Sequence, residues 1–92
     1  MAVLLVAYDI SDDTNRLRLA NDLLRMGFSR IQRSVYVYRG AYKGLRSRVA
    51  EAAARRIDPS SDTVLIITIP ERSLEDALII GLSYKRDGVV TL

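Results

Sequence analysis

The stretch Val3-Leu4-Leu5-Val6-Ala7-Tyr8-Asp9-Ile10-Ser11 decides how the rest of the chain is arranged. From Val3 to Ala7 there is no alternation of apolar and polar residues, and Tyr8 then leads into a single carboxylate. A short unbroken apolar run of this kind reads as a central strand buried on both faces. Asp9 then stands where the strand emerges, a place where a side chain can meet solvent, metal or substrate. The plainer reading is that Asp9 opens a turn or helps to cap the helix that follows, although Asp12 and Asp13 are better placed for that task.

Working outward, Ser11-Asp12-Asp13-Thr14 supplies capping oxygens and acidic groups for a helix start. Leu17, Ala20, Leu23 and Leu24 recur at helical spacing and Gly27 is a natural stop, which predicts a first helix over 13–26. Arg16 and Arg18 lie in its first two turns, where cations oppose the helix dipole. Asp12 and Asp13 can neutralise them locally. Alternatively, the two arginines stand beside Asp9 to receive a polyanion.

Residues 28–40 alternate with period two, with Ile31, Val35 and Val37 on one side and Arg30, Gln32, Tyr36 and Tyr38 on the other. Arg33 and Ser34 break the rhythm, so two short strands or one bent strand are expected. Arginines interleaved with tyrosines on an exposed sheet face can hold phosphates and stack on bases. Tyrosine is also an ordinary residue of half-exposed strands. A second helix is expected over about 43–56, with Leu45, Val49, Ala52 and Ala53 as its apolar stripe, and Ile57-Asp58-Pro59 as its stop. Thr63 to Ile69 reads as a second fully apolar strand ended by Pro70. Leu74 to Leu82 reads as a short helix begun by Ser73, and 87–92 as a turn and a C-terminal strand.

Composition narrows the chemistry. The 92 residues make one domain, and they include neither Cys nor His. This excludes disulfides, thiolate and imidazole nucleophile systems, and every Cys- or His-based metal site. An enzyme built from what is left works with carboxylates, hydroxyls, arginines and a hard cation such as Mg²⁺ or Mn²⁺. Net charge is +3, and of the 14 basic residues only Lys43 and Lys85 are lysine, so the donors are almost all guanidinium forks that match phosphate. No basic leader precedes the apolar start, and that run is too short to span a bilayer, so a cytoplasmic chain with no membrane partner is expected.

The order β-α-β-β-α-β with an extra C-terminal strand predicts an α+β, ferredoxin-like sandwich. Both helices of that fold cover one sheet face. Residues 3–8 and 64–69 are apolar on both faces, so the open face needs a cover, and a homodimer across it is the expected solution. The strand at 87–92 is expected to pair with the other protomer.

Three blocks resemble the small CRISPR-associated adaptation nuclease family, the second in the Cas series. They are Tyr8-Asp9-Ile10-Ser11-Asp12 after the apolar strand, the helix carrying Arg16 and Arg18, and Arg30-Ile31-Gln32-Arg33-Ser34-Val35-Tyr36, which is similar to that family's R-x-Q-x-S-V-F block with Tyr in place of Phe. The resemblance implies a metal-dependent endonuclease that hydrolyses RNA or double-stranded DNA during spacer acquisition, in partnership with the adaptation integrase. Asp9 matches the family's divalent-metal position, facing its symmetry mate, with Arg16, Arg18, Arg30 and Tyr36 near the substrate and Arg33 beside them as a further phosphate contact. Three other readings stand next to it: a non-catalytic dimeric scaffold that holds the spacer duplex between integrase subunits, an RNA-cleaving toxin of related fold, and an amino-acid-binding regulatory module.

Overall fold

The computed structural model describes residues 2–82, so the expected strand at 87–92 lies outside the described residues. The elements follow the predicted order: β1 Ala2–Asp9, α1 Asp13–Arg25, β2 Ser29–Gln32, β3 Val35–Arg39, α2 Leu45–Arg56, β4 Thr63–Pro70 and a short α3 Glu71–Glu75. The sheet order is β2-β3-β1-β4 with every neighbouring pair antiparallel, which is the ferredoxin-like arrangement. β1 is central. It pairs along its whole length with β4, from Ala2 opposite Pro70 to Asp9 opposite Thr63.

Successive residues of β1 point to opposite faces. Leu4, Val6 and Tyr8 join Leu19 and Leu23 of α1 and Leu45, Val49, Ala52 and Ala53 of α2 in the main core. Val3 and Leu5 point the other way, where Val3, Val37 and Leu74 form a smaller cluster beneath α3. The open face is only partly covered: on β4, Leu65 is 56% and Ile67 42% exposed.

The helix ends follow local chemistry. Asp12 is the N-cap of α1, its carboxylate accepting from the Asn15 amide at 2.8 Å. At the other end Gly27 takes φ 99°, and its amide and that of Phe28 return to the carbonyls of Leu24 and Leu23 at 3.0 Å. A side chain there would meet the Tyr38 ring at 3.1 Å as well as the left-handed backbone, so the position is closed to other residues. Asp22 of α1 joins the two helices through Arg56 of α2, at 2.9 and 3.4 Å.

Two expectations are corrected. α2 begins at Leu45 because Gly44, at φ 91°, forms its N-cap. The helix expected over 74–82 is instead α3, which begins directly after Pro70 and ends at Glu75. Pro70 fixes the non-helical entry, and burying Leu74 against Val3 and Val37 sets where the turn sits. Beyond it, Leu78, Ile80 and Leu82 are 80–88% exposed and carry no helix.

Candidate active site

Asp9 closes β1 on the open face, in line with Val3, Leu5 and Ala7, and it is exposed. The capping alternative is excluded, because Asp12 does that work. Across the strand pair its neighbour is Thr63, and the exposed Leu65 pairs with Ala7 one step along. The carboxylate therefore sits at the edge of an uncovered apolar surface.

The loop from Asp9 into α1 is held from two directions. Arg16 donates through Nη1 to the carbonyl of Ile10 at 2.9 Å and also pairs with the Asp13 carboxylate. Thus the charge conflict read from the sequence is resolved locally: Arg16 braces the turn after Asp9. On the far side, Asp62 accepts the Ser11 amide at 3.0 Å and the Asp58 amide at 2.9 Å. Those backbone donors, Asp58 first, hold the Asp62 carboxyl below the ordinary carboxylate range, so it is ionised at neutral pH.

Arg30, Tyr36 and Tyr8 come together on the helix-covered face. Arg30 lies with its guanidinium carbon 5.9 Å from the centre of the Tyr36 ring, while its Nη2 donates to the Arg33 carbonyl at 2.9 Å across the β2–β3 turn. The rings of Tyr8 and Tyr36 stack with centroids 6.0 Å apart. Burial, then the hydrogen bond with Tyr36, pushes the Tyr8 phenol well above its usual range, so it is neutral.

The exposed Arg–Tyr sheet face expected for 30–38 is corrected by this geometry. Tyr36 is 1% exposed and lies in the main core, where no base can stack on it. Tyr36 packs there with Tyr8, Phe28 and Leu19, and Val35 and Val37 turn to the open side. Arg18 on α1 and Arg33 in the β2–β3 turn are exposed, and Arg16 and Arg30 are half-buried. The sheet thus separates Asp9 on one face from the Arg30–Tyr36 pair on the other.

A central strand ending in a free carboxylate, within this sheet order, is what the comparisons address. The family model described as CRISPR associated protein Cas2 matches residues 1–77. The chain belongs to the Cas2 family. It is 41% identical over 88 residues to the CRISPR-associated endoribonuclease Cas2 of Aeropyrum pernix, covering 96% of this chain and 94% of that protein. It is 32% identical over 74 residues to a Cas1/Cas2 endonuclease fusion of Thermoproteus tenax, covering 80% of this chain and 28% of the fusion. The crystal structure of Streptococcus pyogenes Cas2 superposes with a TM-score of 0.68 at 19% identity, covering 86% of this chain and 99% of that one, and so shares the fold.

The structure puts Asp9 at the exposed end of β1 and separates it from Tyr36. Two residues of this region are not singled out by the sequence. Tyr8 reads only as part of the strand, and its alternation with Asp9 is the available signal for an inward ring. Asp62 lay in a Pro-Ser-Ser-Asp loop that reads as solvated, and its partner Ser11 is 51 residues away. Among the described residues no three His, Cys, Asp or Glu side chains are grouped to hold a metal ion, and no helix is long and apolar enough to cross a membrane.

Proposed function

We propose that this Cas2-family chain is a divalent-metal-dependent endonuclease acting in the cytoplasm in CRISPR spacer acquisition, with RNA as its first substrate class and double-stranded DNA as the second. The observation that supports it is the position of Asp9: exposed, on the open face, and bordered by Leu65 and Ile67. Packing the open faces of two copies would cover those side chains and bring Asp9 close to Asp9 of the partner subunit. Two carboxylates held together repel unless a cation lies between them.

The oxygen-only donor set fits Mg²⁺ or Mn²⁺. Each Asp9 would hold the cation through one carboxylate, leaving room for substrate phosphate and water. When bound, the cation polarises a phosphoryl oxygen and makes water a better nucleophile at neutral pH. Arg18 and Arg33 reach phosphates from solvent, Arg16 braces Ile10, and Arg30 holds the β2–β3 turn that carries Arg33. The Thermoproteus fusion to Cas1 supports partnership with the adaptation integrase. It equally favours a second reading, in which the dimer is a scaffold that holds duplex by phosphate contacts alone.

The dimer itself is tested by placing charge on its face. Leu65→Asp combined with Ile67→Asp forces carboxylates into an apolar contact, and light scattering is expected to show the mass of one chain where the wild type shows two. Cleavage should vanish with the dimer. A doubly substituted protein that stays dimeric and cleaves would place the interface elsewhere.

A further inference from the structure

We propose that Asp62 is a positioning residue that fixes the direction of Asp9 by clamping the backbone just beyond it; this rests on the reading that Asp9 is the metal-binding carboxylate. At 6% exposure Asp62 is the buried charged side chain among the described residues. Oδ1 accepts from the Ser11 amide and from the Ser61 hydroxyl, both at 3.0 Å, and Oδ2 accepts from the Asp58 amide at 2.9 Å. An ionised carboxylate is acceptor-only, so both oxygens match these donors, and bonds to a charged acceptor are the stronger kind.

The placement gives the clamp its purpose. Asp62 directly precedes Thr63, which lies opposite Asp9 in the β1–β4 ladder. Ser11 follows Asp9 by two residues, and Ile10 between them is 3% exposed, with its carbonyl held by Arg16 at 2.9 Å. A strand end ordinarily frays where its ladder stops. Here the Asp62–Ser11 bond continues the tie between the two strands past the last pair, and the Arg16–Ile10 bond fixes the intervening peptide. The backbone just after Asp9 is thereby gripped from two directions while the Asp9 side chain stays in solvent. Neither bond touches the carboxylate, so Asp62 acts on the metal only through backbone direction.

Asp62→Asn keeps the shape but turns one acceptor into a donor that faces an amide. The expected result is faster hydrogen exchange at the Ser11 amide by about tenfold or more, with the α2 amides unchanged. The Mn²⁺ concentration for half-maximal binding, read by electron paramagnetic resonance, and for half-maximal RNA cleavage should both rise by about 10–100-fold, as for loss of an outer-shell partner. Asp22→Ala serves as the control. It removes the 2.9 and 3.4 Å bonds to Arg56 between the two helices, lowers the melting temperature and leaves the Mn²⁺ requirement alone. Unchanged exchange at Ser11 in Asp62→Asn would overturn the clamp. Faster exchange with an unchanged Mn²⁺ requirement would reduce Asp62 to a structural loop residue and overturn its positioning role. A wild-type protein that neither binds Mn²⁺ nor cleaves RNA overturns the nuclease reading itself, whatever the variants do.

Discussion

Asp9→Asn is expected to lower RNA cleavage by about 100-fold or more, a rise in the barrier of about 2.7 kcal/mol, with the dimer and the melting temperature unchanged. The substitution keeps size and polarity and removes the charge that, in the proposed function, draws a divalent cation. Stability should not follow activity down, because Asp9 is exposed at the end of β1 and the cap of α1 is Asp12. If two copies pair as proposed, relief of repulsion between their Asp9 carboxylates firms the dimer slightly. Single-turnover cleavage with Mg²⁺, run beside thermal melting and light scattering, separates the outcomes. A protein that unfolds on this change uses Asp9 as a structural group; one that cleaves at the wild-type rate carries its chemistry elsewhere.

Tyr36→Ala is expected to cost about 3–5 kcal/mol of folding stability, a large share of what a small domain has. The ring is 1% exposed between β3 and the helices, stacked on Tyr8 and beneath Arg30, so truncation leaves a cavity that strands both partners. Tyr36→Phe should cost only about 1 kcal/mol, since the ring stays and the hydrogen bond to Tyr8 goes. Urea denaturation of both variants checks the pair. If Tyr36→Ala instead melts as the wild type does and only loses RNA binding, the ring faces solvent and the packing described here is wrong.

These two residues show how the sequence could be legible at one site and mislead at another. Asp9 was readable because an unbroken apolar strand ends in one charge, and the register of a central strand admits few alternatives. Tyr36 was not, because β3 is also central: both of its faces are apolar, Val35 and Val37 on one and Tyr36 and Tyr38 on the other. Hydropathy alternation then says which residues share a face but not which face lies under the helices. The shift in the β2–β3 ladder between Arg30 and Gln32 blurs the count further.

The element order, the first helix and the β2–β3 break were carried by local signals: Asp12 as a cap, Gly27 as a stop, Arg33-Ser34 as the turn. What depends on chain segments far apart was hidden. Asp62 is the case in point, since a carboxylate in a serine-rich loop gives no sign of the Ser11 amide that it accepts. α3 was misplaced for a related reason, because what fixes it is Leu74 reaching Val3 and Val37 on other strands.

If Asp9 binds nucleic acid through a shared cation, binding in Ca²⁺ reveals it without turnover. Labelled RNA and duplex DNA are titrated with wild type and with Asp9→Asn, with and without Ca²⁺, at several salt concentrations. Ca²⁺ is predicted to tighten binding by the wild type and to do nothing for Asp9→Asn, while both keep the same metal-free salt dependence, a slope of about −0.9 per duplex phosphate contacted. If Ca²⁺ changes neither protein and Asp9→Asn binds as tightly as wild type, the metal-site account is contradicted and the chain holds nucleic acid as a scaffold.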